Sequence, residues 1–172
     1  WVMAVNPFHK SAVDKIYKMK GEDKSYHFSL VCLNISMAND LAMIPDDVFR
    51  LIRNKVPGHY TFIFSATKMI TKALKASKTD HEVGIRFVPS ILIDSILEQF
   101  NGPLLTTNLT KDMLKISEDE DIYSYLIEEE IGNQVGAIID PGEYEFRGVS
   151  TIYNFASERR ECIREGAGKL LF

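Results

Sequence analysis

Residues 57–100, PGHYTFIFSATKMITKALKASKTDHEVGIRFVPSILIDSILEQF, decide the fold. Pro57 and Gly58 make a turn, and Tyr60 to Phe64 is a β-branched and aromatic run of the kind that pairs in sheets. A short helix is expected around 68–76, and Val83 to Val88 forms a second strand, stopped by Pro89. Ile93, Ile96, Leu97 and Phe100 then recur at helical spacing on one apolar face. The result is strand, helix, strand, helix within 44 residues, the alternation that covers a sheet with helices.

The same alternation extends outward. Upstream, Trp1 to Val5 reads as a buried strand, and Asn6 with Pro7 caps a helix over roughly 8–19 whose apolar side is Ala12, Val13, Ile16 and Tyr17. A polar loop from Lys18 to Ser25 leads to a strand from His27 to Leu33, and Pro45 opens a helix through about Arg53. Downstream, Asn101-Gly102-Pro103 breaks the helix, Leu104-Leu105 is a short strand, and Thr106 to Thr110 is a polar loop. A helix over about 118–131, a strand from Val135 to Ile139, a turn at Asp140-Pro141-Gly142 and strands at 150–155 and 161–164 complete the chain. Hairpin pairing near the C-terminus makes the sheet mixed. We expect an α/β fold, one domain over 1–172, whose N-terminal part begins before Trp1.

Composition narrows the function. At 172 residues, 45% hydrophobic and 26% charged, the chain can bury a core, and it contains no apolar run of membrane-spanning length. A cytoplasmic protein is expected. Cys32 and Cys162 form no disulfide framework or zinc spacing, and the four histidines (9, 27, 59, 81) are scattered, so no metal site is expected. The net charge of −4 divides into +5 over residues 1–80 and −9 over 81–172. A basic N-terminal half suits a phosphate or nucleic acid where its charges converge; overall acidity opposes nonspecific RNA binding.

No GxSxG, P-loop, HExxH or GxGxxG motif is present, which removes support for standard covalent and metal hydrolases. The acidic runs 118–121 and 128–130 read as solvated ends of one helix. What stays is a set of polar groups at strand ends and loops: Lys20, Arg86, Thr106 to Thr110, Ser150, Thr151 and Arg164. Ligands of open α/β sheets bind outside strand ends, and Lys, Arg and hydroxyls suit phosphate and carboxylate.

In order, these residues resemble the YrdC/YciO family. Lys15 to Gly21 is similar to the helix leading into its Lys-Gly-Arg element, and Pro57 to Ile63 resembles its PG-x-x-T-x-I turn and strand. Val83 to Pro89 is similar to G-V-R-x-P, and Gly102 to Thr107 to the start of P-L-x-A-T-S-A-N. Gly148 to Ile152 is similar to S-T-V, and Arg164 to Ala167 to R-x-G-A. The resemblance implies a single-domain YrdC-like twisted mixed sheet, flanked by helices, with a concave ligand cleft. It implies nucleotide binding at Lys20 (triphosphate), Arg86 (threonine carboxylate), Thr107, Asn108 and Thr110 (nucleotide and bicarbonate), and Ser150 and Arg164 (ATP). ATP enters as a substrate with room for Mg2+, together with threonine and bicarbonate; tRNA or double-stranded RNA is the macromolecular partner, and no tightly bound cofactor is expected.

Departures from the pattern set the reading. Lys-x-Arg has become Lys20-Gly21-Glu22, an anion where a phosphate-binding cation stands in the family. Counted from Pro103, Ser-x-Asn falls on Asn108-Leu109-Thr110, while a slip of two residues gives Thr106-Thr107-Asn108. The P-T-D-T element expected just before Trp1 is absent. Similar losses, with His27 to Cys32, resemble the YciO branch. The expectation is therefore a divergent member with weakened or altered catalysis. Its alternatives are an active L-threonylcarbamoyladenylate synthase for tRNA modification and an RNA-binding scaffold without a small ligand.

Overall fold

The computed structural model of the chain describes residues 1–172. Eight strands form one mixed sheet: β1 (Val2–Val5), β2 (Ser29–Val31), β3 (Ala42–Met43), β4 (Tyr60–Ala66), β5 (Glu82–Arg86), β6 (Leu104–Asn108), β7 (Thr151–Asn154) and β8 (Glu161–Arg164). Their spatial order is β1-β6-β2-β5-β4-β7-β8, with β3 beside β4. β2 runs parallel to β5 and β4 parallel to β7, and the other pairs are antiparallel. The helices are α1 (Lys10–Lys20), α2 (Ile35–Asn39), α3 (Asp46–Ile52), α4 (Lys68–Ala73), α5 (Lys75–Asp80), α6 (Ile91–Phe100) and α7 (Ser124–Ile131). None is long and apolar enough to cross a membrane.

The alternation of β4 sets the two faces of the sheet. Phe62 and Phe64 are fully buried, and their aromatic rows continue through Tyr60, Tyr153 and Phe155 with ring centroids 5.5 to 6.1 Å apart. Phe62 stands opposite Ile85 on one side and Tyr153 on the other, and Leu30 pairs with both Ile85 and Leu105. Val13 and Ile16 of α1, Val48 and Ile52 of α3, Ile70 of α4 and Ile127 of α7 join the same apolar cluster. The opposite parity of the strands carries Thr61, Gly84, Arg86, Ser29, Thr106 and Arg164, so burial of the aromatic face fixes where the polar face points.

Local chemistry corrects several expectations. Asn6 caps no helix; its Oδ1 accepts from Phe8 N at 2.9 Å in an Asx turn, and α1 starts two residues later than expected, at Lys10. Gly21 ends it in the left-handed region at φ 71°. The expected helix over 68–76 is two helices, because Leu74 turns extended (φ −114°) and buries its side chain. Residues 118–123 stay out of α7, which starts at Ser124, and Glu120 Oε2 accepts from Ser117 N at 2.8 Å in a local turn. The acidic run 118–121 thus precedes the helix. Val135 to Ile139 forms no strand, and Thr106 to Asn108 belong to β6 instead of a loop. The short α2 was not foreseen; Asn34 caps it, accepting from Met37 N at 2.9 Å.

Candidate functional site

Two arginines on the polar face organise the site. Arg86 ends β5, two residues beyond Gly84, and the register sets it beside Val31 of β2. Its guanidinium is largely withdrawn from solvent, and its Nε is buried with no hydrogen-bond partner. Burial pushes its pKa down, and the neighbouring charge of Arg164 pushes it further the same way. No carboxylate forms an ion pair with either arginine.

Arg164 is held from behind. β7 and β8 pair Ile152 with Arg164, and the guanidinium reaches back to the residue before β7: Nε and Nη2 donate to Ser150 O at 3.1 and 2.8 Å, and Nη2 donates to Ser150 Oγ at 3.1 Å. Ser150 is buried, and its Oγ lies 2.8 Å from Thr61 Oγ1. Thr151 secures the following turn, donating to Gly168 O at 2.6 Å and accepting from Gly166 N at 3.0 Å. Three segments far apart in sequence thus present one cationic corner, with two guanidinia and a serine hydroxyl. Such a corner can hold an oxyanion such as phosphate or carboxylate.

A second group of polar residues stands further along the face. Thr106 Oγ1 donates to Ser29 O at 3.1 Å, and β6 continues to Asn108, opposite Val2. Lys20, the last residue of α1, donates from Nζ to Asn108 O at 2.8 Å. Burial lowers the Lys20 pKa, and the negative charge of Glu22 opposes that shift. Glu22 is therefore close enough to act on the lysine electrically.

The sequence-derived residues are divided by this geometry. Arg86, Ser150 and Arg164 come together, with Asn108 on the same sheet face and Lys20 bonded to it. Thr107 does not join them. It alternates with Thr106 and Asn108, shares the face of Leu105 and stands opposite Met3. Thr110 lies beyond the strand, in the turn where its carbonyl accepts from Met113 N at 3.1 Å. Thr61 was not among the expected site residues. The available signal was its place as a polar residue between Tyr60 and Phe62 in an otherwise aromatic strand.

Two depressions elsewhere do not compete as anion sites. One of about 620 Å³ is lined by residues including Ser124, Glu128, Asn133 and Asp140. Another of about 340 Å³ is lined by residues including Phe8, Asp40, Met69 and Pro103. Both carry carboxylates and no cation. No three His, Cys, Asp or Glu side chains gather so as to hold a metal ion.

Residues 1–166 match the family described as Sua5/YciO/YrdC, telomere recombination. YciO of Escherichia coli K12 is 28% identical over 159 residues, 92% of this chain and 75% of the relative. The crystal structure of E. coli YciO superposes with a TM-score of 0.79 at 26% identity, covering 98% of this chain and 79% of that one. P. abyssi Sua5 complexed with L-threonine gives 0.78 at 18% identity, covering 96% and 47%. Full-length HypF in its phosphate- and nucleotide-bound form gives 0.70 at 14% identity, covering 97% and 25%.

Proposed function

The chain belongs to the Sua5/YciO/YrdC family, and from that premise we propose that the Arg86–Arg164 corner binds the anionic part of ATP in a divergent member whose synthase chemistry is weakened, Arg86 joining Arg164 there in place of the threonine-carboxylate role that the resemblance gives it. One observation carries the reading: a buried, partnerless Arg86 Nε beside a second guanidinium with no carboxylate between them. Two like charges held side by side in a partly dry site destabilise each other, and an oxyanion relieves both repulsion and the missing hydrogen bonds. Threonine in a Sua5 structure and nucleotide in HypF are ligands of those proteins; at 18% and 14% identity they lend the fold, and the ligand class enters as part of this proposal.

The chemistry implied is the joining of threonine, bicarbonate and ATP into threonylcarbamoyl-AMP, with release of pyrophosphate and water. That reaction needs anion-binding donors and positioning more than a protein nucleophile. Arg86, Arg164 and Ser150 offer such donors, and Mg2+ would arrive with the triphosphate as part of the substrate. Glu22 supports the weakened reading. It places a negative charge beside Lys20, whose Nζ is already engaged by Asn108 O. A reducing cytoplasm suits the free thiols of Cys32 and Cys162, and a tRNA or double-stranded RNA partner rests on the positive surplus of residues 1–80.

The test is calorimetric titration with Mg-ATP, followed by a pyrophosphate-release assay with threonine and bicarbonate. ATP should bind the chain, Arg86→Ala and Arg164→Ala should each weaken binding by about 10- to 100-fold, the span expected for a charged hydrogen-bonding group, and pyrophosphate release should be slow. Absence of ATP binding would remove the nucleotide reading. Rapid threonylcarbamoyl-AMP formation would instead make this an active synthase.

A further inference from the structure

The hydroxyl pair behind Arg164 has a direction. Ser150 Oγ has two lone pairs and one proton. Arg164 Nη2, which can only donate, takes one lone pair. Thr61 Oγ1 lies 2.8 Å away and is itself buried within the sheet. Its only side-chain hydrogen-bond partner is Ser150 Oγ, so a Thr61 proton pointing elsewhere would be a buried, unsatisfied donor. One proton of the pair lacks a protein partner in either direction; with Thr61 donating, that proton sits on Ser150, the hydroxyl Arg164 also touches, where a bound oxyanion can accept it. Both Ser150 lone pairs are then occupied, and only its proton is left to offer.

We propose that Thr61 is a positioning and specificity-determining residue that turns Ser150 into an obligate donor, so that the corner accepts an oxyanion and rejects groups that need an acceptor. The inference rests on the anion-binding reading above. Without Thr61, Ser150 could rotate to accept, and its discrimination would be lost. The strand supplies the means: Thr61 stands opposite Ile152, two residues beyond Ser150, so the threonine cannot turn away without slipping the β4–β7 register that also pairs Phe62 with Tyr153.

The test uses Mg-ATP as the probe. Thr61→Val keeps the β-branched shape and removes the hydroxyl; Thr61→Ser keeps the hydroxyl. Thr61→Val should weaken ATP binding by about ten-fold, the scale of one lost hydrogen bond to a charged ligand, and Thr61→Ser should restore it to within about two-fold of the parent. In a Ser150→Ala background Thr61→Val should have no further effect, because the threonine acts through the serine. Equal losses in the two backgrounds would overturn the relay, since a purely structural role is indifferent to Ser150. Unaltered ATP affinity in folded Thr61→Val, with Arg86→Ala still deficient, would overturn the relay and leave the anion site standing. Loss of ATP binding in none of the arginine variants would remove the site itself, and the relay with it. Should Thr61→Val fail to fold, the comparison of Thr61→Ser with Thr61→Ala decides the same point, because serine keeps a hydroxyl donor and alanine has none.

Discussion

Gly166→Ala probes whether the C-terminal turn holds the anion corner together. A Cβ on residue 166 would come 2.7 Å from Ser150 C and 2.8 Å from Ser150 O, and closer still to Val149 O. All three are backbone atoms, so no side chain can yield. The turn must move away, stretching Gly166 N to Thr151 Oγ1 (3.0 Å) and Ala167 N to Val149 O (2.8 Å). Two hydrogen bonds at about 1 kcal/mol each plus about 1–3 kcal/mol for overpacking give a loss of about 3–5 kcal/mol. At about 2–4 °C per kcal/mol for a domain of this size, the melting temperature should fall by about 6–20 °C. The turn follows directly on Arg164, and the new Cβ crowds the Ser150 carbonyl that fixes the Arg164 guanidinium, so ATP affinity should fall with stability. Urea unfolding and ATP titration of the same preparation measure both. Parent-like stability would mean that the turn relaxes without cost, and that the close approach of residue 166 to Ser150 constrains nothing.

Two further outcomes follow from charge. Glu22→Arg should tighten Mg-ATP binding by about ten-fold, worth about 1.4 kcal/mol, if its side chain faces the same ligand as Lys20; no gain at low or moderate salt in a titration would remove the argument from Glu22 for weakened catalysis. Burial raises the Asp80 pKa, but bonds from Glu82 N and His27 outweigh it and hold the carboxyl below its ordinary 3.8. A depressed folded-state value means that Asp80 stabilises the fold above its unfolded pKa and ceases to do so as pH falls through the folded one. The stability gap between the parent and Asp80→Asn, measured by urea unfolding, should therefore be widest near neutrality and narrow below about pH 4; a gap constant down to pH 2 would refute this.

Local pattern carried the strands whose two faces differ most. The Tyr60, Thr61, Phe62, Ile63, Phe64 sequence announced β4, and the same strand decides which face is buried. Where tertiary contacts set the outcome, local pattern misled. Leu74 sits in a stretch of good helix formers, yet the core takes its side chain and the backbone opens between α4 and α5 to deliver it. Val135 to Ile139 has the composition of a strand, but a strand exists only through a partner, and the sheet closes with β1 at one edge and β8 at the other. At 118–121 a local turn wins, in which the Glu120 carboxylate accepts from the Ser117 amide.

The site was legible as residue types and not as a geometry, because its decisive contacts join positions 61 with 150 and 150 with 164 through strand pairing. Parity along β6 makes the point. Counting from Pro103 selects Asn108 and Thr110, and the slipped alternative selects Thr106 and Asn108. Residues two apart in a strand face the same way, but only the second pair lies wholly within β6. Thr106 stands opposite Ser29, which stands opposite Gly84, two residues from Arg86. A hydroxyl and an amide thus share Arg86's face, while Thr107 between them faces Met3. The register gives the slipped reading a physical basis that counting residues could not supply, since burial of Leu105 and Leu30 on the other face leaves Thr106 and Asn108 no other side on which to stand.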